Sequence, residues 1–245
     1  MLPRFFVSPS QIQGKQIVIQ GEDVKHISKV LRLKKGDKIL ICNRQGIDYE
    51  CIIKDMEKII TAEIISKNAS IGEALTKITL FQALTKSDKM DYIIQKAVEL
   101  GVHRIVPVVT ERTIVKIENE KKENSKLQRW NKISESAAKQ SQRGIIPEVA
   151  AVIPLIEAFN QAEKMDLKLI PYEMEKNNHL KDLLANCTAK SIAIFIGPEG
   201  RFEESEINLA KEHGIIPVTL GRRILRTETA GLVTVSIMMY EMGEM

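Results

Sequence analysis

The chain is 245 residues long, 44% hydrophobic and 28% charged, with a formal net charge of +4. That is the composition of a globular protein with a real core, in one large domain or two smaller ones. Its longest apolar run, residues 231–240, falls far short of the roughly 20 residues a membrane-spanning helix needs, and the first residues lack the basic-then-apolar order of a secretory signal.

Residues 1–70 hold 12 Lys and Arg against 8 Asp and Glu, whereas residues 71–245 hold 24 of each, so the positive excess sits entirely at the front of the chain. A localised basic surface suits a polyanion better than a small acidic metabolite. In that region residues 17–19, 38–42, 47–54 and 59–67 are rich in β-branched side chains and read as strands, with turns at Lys35-Gly36-Asp37 and Arg44-Gln45-Gly46. One helix is predicted between them, over 22–33. Val24, Ile27, Val30 and Leu31 form its expected buried face, while Lys25, Lys29 and Arg32 line another. The expectation is a small β-barrel carrying a basic amphipathic helix. Residues 68–76 have the composition of a linker.

From Lys77 the pattern alternates. Strands are predicted over 78–82, 104–109, 167–171, 191–196 and 215–220, and helices over 88–100, 122–142, 154–161, 180–185, 204–212 and 227–241. Gly101 and Gly214 stand where glycines end helices. Such alternation predicts a mostly parallel sheet with helices on both faces.

Several common sites are excluded. The chain has no Walker-type phosphate loop, no strand–Gly-x-Gly-x-x-Gly–helix and no Gly-x-Ser-x-Gly elbow. His26, His103, His179 and His213 lack ligand spacing, so no metal is expected. Cys42, Cys51 and Cys187 are odd in number and show no Cys-x-x-Cys spacing, which favours a reducing, cytoplasmic compartment over a disulfide framework.

Two loops remain. Gly197-Pro-Glu-Gly200 follows one apolar strand, and Leu220-Gly-Arg-Arg-Ile-Leu-Arg-Thr-Glu-Thr-Ala230 follows the next. In open α/β sheets ligands bind at the carboxyl ends of strands, where loops present backbone amides and helix N-termini. The second loop adds Arg222, Arg223 and Arg226 beside an apolar wall, and Thr227 is the expected helix cap. Together they suit an adenosine-like ligand beside an anionic partner.

These loops resemble the two C-terminal motifs of the SPOUT class of RNA methyltransferases, and within it the chain is similar to the small-subunit ribosomal RNA uracil-N3 methyltransferase family (RsmE). Pro3-Arg-Phe-Phe-Val7 also matches, as do His26 with Val30-Leu-Arg32 and Gly36-Asp37, and Lys86 with Gln95-Lys96 and Glu99-Leu-Gly101. Gln140, Arg143 and Pro147 sit as in the family, and one departure is visible: Arg201 stands where the family usually has a third glycine. The resemblance implies a PUA-like β-barrel over residues 1–70 and, over 77–245, a Rossmann-like α/β domain with a C-terminal trefoil knot. It further implies a homodimer that binds S-adenosyl-L-methionine in the knot and methylates a specific uridine of 16S ribosomal RNA in the small subunit.

On that resemblance the cofactor is expected to take backbone contacts from Pro171, Gly197, Gly200, Leu220 and Leu225. Ile196 and Ile224 would wall the adenine, with Pro198, Glu199, Gly221 and Thr227 completing the two loops. Arg226, Arg143 and Lys86 are candidates to stabilise the uracil anion, and Glu199 or Glu228 to take the N3 proton. Arg4, Lys25, Lys29, Arg32, Lys34 and Lys35 would grip RNA phosphates. The alternatives are a non-enzymatic RNA-binding or ribosome-assembly protein with a vestigial knot, and a SPOUT enzyme that methylates ribose 2′-OH.

Overall fold

A computed structural model of the chain describes residues 2–115 and 119–245. The chain divides into two compact units, one made of Met1–Glu73 with Ala138–Ile146 and the other of Ala74–Ala137 with Pro147–Met245. Among the described residues, no helix is long and apolar enough to cross a membrane.

The first unit is a mixed six-stranded sheet. It contains β1 (Arg4–Phe6), β2 (Ile12–Gln13), β3 (Gln16–Ile19), β4 (Lys38–Cys42), β5 (Ile47–Met56) and β6 (Ile60–Ala69), in the order β1-β4-β5-β6-β3-β2. β1 runs parallel to β4 and every other pairing is antiparallel. The barrel expected from sequence is open, since β1 and β2 are the edges and do not pair with each other. Register shifts at Glu50/Cys51 and Ile53/Asp55 mark bulges in the long β5–β6 pair, the device by which a sheet bends over its core. That core takes the inward residues of alternating strands, among them Ile17, Ile39, Ile41, Ile53 and Ile60.

The predicted helix over 22–33 is shorter and differently wound. α1 (Glu22–Lys25) passes into a π-type stretch over His26–Val30, in which Leu31 N–H donates to His26 O at 2.9 Å. A π turn is wider than an α turn, so it rotates the following residues off the expected face. Ile27 is buried as expected, but Val30 is 66% exposed and Leu31 is exposed too, contrary to the sequence pattern. Arg32, with φ 54°, ends the element.

The segment Ala138–Ile146 belongs with this unit, although sequence reasoning placed it in the second. Glu73 explains why. Its Oε1 accepts the backbone N–H of Gly144 at 2.7 Å and of Ile145 at 3.0 Å, and its Oε2 accepts Arg143 Nη2 at 2.8 Å. Arg4 donates to Asp48, Ser70 and the Gln142 carbonyl.

The second unit is an all-parallel sheet with helices on both faces. Its strands are β7 (Lys77–Ala83), β8 (Arg104–Val109), β9 (Glu148–Val149), β10 (Ile153–Pro154), β11 (Leu167–Pro171), β12 (Ser191–Ile196) and β13 (Ile216–Val218). The order is β10-β8-β7-β12-β11-β13, with β9 also on β8. The helices are α2 (Ser87–Glu99), α3 (Glu120–Gln140), α4 (Leu155–Gln161), α5 (Leu180–Leu184), α6 (Glu204–Glu212) and α7 (Thr227–Glu241). Alternation along the central strands assigns the faces. Phe81, Ala193 and Phe195 pack with Phe159 of α4 and with Ile207 and Ala210 of α6. Leu80 and Ile196 point the other way, against Gly231 of α7, which also packs on α2.

Both predicted helix-ending glycines have positive φ, 95° at Gly101 and 68° at Gly214. Each closes a Schellman motif: after α6, Ile215 N–H donates to Ala210 O and Gly214 N–H to Lys211 O, both at 2.9 Å. β9 and β10 have two residues each, too few for any periodicity to reveal.

Candidate active site

A cavity of about 410 Å³ opens at the carboxyl ends of β11, β12 and β13 in the second unit. Its walls are built from the loops that follow those strands, where the rule for parallel sheets places ligands. Ten of the eleven residues expected to hold a cofactor line it: Pro171, Ile196, Gly197, Pro198, Glu199, Leu220, Gly221, Ile224, Leu225 and Thr227. Gly200 does not. Its carbonyl accepts Arg112 Nη1 at 3.1 Å, and a Cβ on it would stand 3.0 Å from Arg112 Cβ. Gly197 is equally confined, since a Cβ there would meet the Phe202 ring at 3.0 Å. The glycines of this loop are thus demanded by close approach of the protein's own side chains. Gly221, at φ 109°, instead serves a turn that side-chain-bearing residues resist.

Thr227 does something other than cap α7. It is the first helical residue, and Arg226 holds the N-cap position without a side-chain capping bond. The Thr227 hydroxyl donates to Gly197 O at 2.6 Å and accepts from Gln82 Nε2 at 3.0 Å. One buried hydroxyl therefore joins the end of β7, the loop after β12 and the start of α7. Gln82 is fully buried; its Nε2 also reaches Ala83 O at 3.1 Å, and its Oε1 has no hydrogen-bond partner. Sequence reasoning did not single out Gln82, though a lone amide in the apolar strand Ile78–Ala83 was a visible signal.

Lys89, in the first turns of α2, was missed as well. Its ammonium lies 3.0 Å from Glu199 Oε1 and 3.5 Å from Glu228 Oε2. The Glu199 carboxylate holds Lys89 above its ordinary range, with Glu228 adding to the effect and partial burial opposing it. Lys89 and Glu199 line the cavity and Glu228 does not. Of the two candidate bases, only Glu199 reaches the wall.

The candidate cations also separate. Arg226 lines the cavity, is exposed and has no ion pair among the described residues. Lys86 is exposed at the N-cap position of α2 and is not on the cavity wall. Arg143 belongs to the first unit, where its side chain is only 3% exposed in its pair with Glu73. Its guanidinium is bound to the Glu73 carboxylate, so Arg143 leaves the set of anion-stabilising candidates. Arg4 is a second correction: its side chain is 6% exposed and bound to Asp48, which removes it from the phosphate-gripping set. Lys25, Lys29, Arg32, Lys34 and Lys35 are all exposed on the first unit.

The comparisons with known proteins agree with this layout. The model of the RNA methyltransferase domain matches residues 73–239, and that of the RNA methyltransferase PUA domain matches residues 19–65. The chain is 32% identical over 249 aligned positions to the Ribosomal RNA small subunit methyltransferase E of Bacillus subtilis, covering 98% of this chain and 97% of that protein. It is 34% identical to the protein of the same name from Mesomycoplasma hyopneumoniae, covering 94% and 95%. Among solved structures, that of a Ribosomal RNA small subunit methyltransferase E from Neisseria gonorrhoeae, bound to S-adenosyl methionine, superposes with a TM-score of 0.86 at 34% identity and covers 98% of each chain. With its PUA-type and methyltransferase units both matched, and relatives aligned along nearly their whole length, the chain belongs to the ribosomal RNA small subunit methyltransferase E family.

Proposed function

We propose that the chain transfers a methyl group from S-adenosyl-L-methionine to N3 of a specific uridine in the 16S ribosomal RNA of the small subunit, in the cytoplasm. The observation that carries this reading is the single cavity that gathers both loop motifs at the carboxyl ends of three parallel strands. Its volume lies within the ~300–1,000 Å³ of small-molecule sites. Ile196, Leu220 and Leu225 offer an apolar wall for a purine, and Glu199 supplies a carboxylate. In volume and in lining chemistry the cavity suits the cofactor.

S-adenosylmethionine supplies a methyl group on a positively charged sulfur. The protein's task is to present N3 as an anion. Glu199, held at the wall by Lys89, would accept the N3 proton. Arg226, on the cavity wall at the start of α7, would face a uracil carbonyl oxygen, where negative charge grows as the proton leaves. Glu228, outside the cavity, helps hold Lys89 from the first turn of α7. Positioning supplies a further share of the rate without any strong base.

Lys25, Lys29, Arg32, Lys34 and Lys35 present five exposed cations to phosphates. Ile237 and Tyr240, exposed near the end of α7, suit the apolar contact of a second copy in a homodimer. β12 follows β11 in the chain yet lies between it and the earlier β7, and our reading includes a C-terminal trefoil knot in the loops beyond these strands.

Nucleoside mass spectrometry of treated ribosomal RNA tests the reaction. We expect 3-methyluridine; a 2′-O-methylated product, or no product with a cofactor-binding protein, would reject the proposal. Replacing the five cations by alanine should weaken RNA binding and flatten its salt dependence by roughly 0.7–0.9 in log–log slope per lost phosphate contact.

A further inference from the structure

Two ion pairs line the cavity, and they differ in how much of their hydrogen-bonding capacity is used. Lys89 is shared between two carboxylates, Glu199 and Glu228. Arg201 faces Glu173 alone, Nε to Oε1 at 3.3 Å, and its terminal nitrogens have no partner among the described residues. Glu173 is on the loop after β11 and Arg201 on the loop after β12. The pair therefore brings a cation and an anion to the cavity side by side, with donors still open.

The backbone at Arg201 points the same way. Its φ is 67°, in the left-handed region that glycine adopts freely and residues with a Cβ resist. Arg32, Arg44 and Gln142 share this conformation, but of the four only Arg201 lines the cavity, and backbone strain gathers at ligand sites.

We infer that Arg201 and Glu173 form the subsite for the amino-acid tail of the cofactor, the guanidinium taking the tail's carboxylate and Glu173 its ammonium. The inference rests on the S-adenosylmethionine reading above. That tail is a zwitterion, with both charges on one carbon, and needs opposite charges held together. The other such pair on the wall, Lys89 and Glu199, is already closed by a hydrogen bond at 3.0 Å, and Lys89 is shared with Glu228. Ile196, Leu220 and Leu225 are apolar, and Arg222, Arg223 and Arg226 have no carboxylate partner among the described residues. In the free protein Arg201 and Glu173 face each other at 3.3 Å, so neither charge is left alone before the ligand arrives.

Calorimetry with two ligands isolates the subsite. S-adenosylhomocysteine and 5′-methylthioadenosine share the adenosine and a neutral thioether, and differ in that only the first carries the tail. Arg201→Gly should bind S-adenosylhomocysteine about tenfold more weakly, the worth of one charge-assisted hydrogen bond reduced for its exposure, while 5′-methylthioadenosine stays within about twofold. Glu173→Gln should shift the same ratio in the same direction, and Arg201→Lys should recover part of it. Glycine suits the local φ, so the variant keeps its fold. Equal losses for the two ligands, or no loss for either, would overturn the subsite and leave the cofactor reading standing. Failure of the unaltered protein to bind either ligand would overturn the cofactor reading itself.

Discussion

Replacing Thr227 by valine removes a single hydroxyl and changes almost nothing in shape. The cost is therefore polar. Gly197 O loses the donor it holds at 2.6 Å, and Gln82 Nε2 loses an acceptor at 3.0 Å, keeping only Ala83 O. Gln82 is fully buried and Thr227 is 6% exposed, so water replaces little of this. A buried polar group left unpaired costs about 1–3 kcal/mol, and two groups, one of them partly satisfied, come to about 2–4 kcal/mol. The valine variant should lose that much stability in urea unfolding. Its cofactor affinity should fall by roughly tenfold, because the two cofactor loops are no longer tied together. Thr227→Ser restores the hydroxyl and should regain most of both, less about 0.5–1.5 kcal/mol for the missing methyl. A valine variant within about 0.5 kcal/mol of the original, the usual scatter for a neutral change, would refute the clamp. So would a serine variant no better than valine.

Lys89→Met should leave the Glu199 and Glu228 carboxylates facing each other without their shared cation. With Glu199 no longer held at the wall, cofactor affinity should fall by roughly threefold in calorimetry, the worth of a partly exposed ion pair; unchanged affinity contradicts this. In the unaltered protein Lys89 sits above its usual 10.5, so its stabilisation is complete below that pH and is lost only as the pH rises through the raised value. The cysteines give a simpler test: burial pushes Cys51 up to about 12 and raises Cys42 as well, whereas Cys187 is half-buried. A thiol reagent at neutral pH should label Cys187 quickly in the folded protein and all three after denaturation; rapid native labelling of Cys51 would show that its strand opens.

Much of the second unit was legible because its strands and helices are long enough to show their periods. β8, β11, β12, α6 and α7 begin and end where the alternation of apolar residues and the glycines after helices place them. The loops of the cavity were legible for another reason, since Gly197, Pro198 and Gly221 have few uses outside tight or crowded backbone. Long-range partners left no such trace. Lys89 and Glu199 are 110 residues apart, and Gln82 and Thr227 are 145 apart. Arg4 and Arg143 show the same limit from the other side: both read as free cations, and each is consumed by a carboxylate that only folding brings near. The helix over 22–33 failed because a π turn shifts the apolar phase by less than a residue pattern can report.

The return of Ala138–Ile146 to the first unit bears on how the protein is made. Glu73 waits for the amides of Gly144 and Ile145, and Arg4 for the carbonyl of Gln142. A ribosome that has finished β6 has therefore not finished the first unit. β7, α2, β8 and α3 must be synthesised before its last segment emerges. Chains usually fold from the amino end, domain by domain. Here the leading unit stays incomplete until about two fifths of the following one exists, and cutting the gene between them at residue 73 would yield a sheet without its fastening.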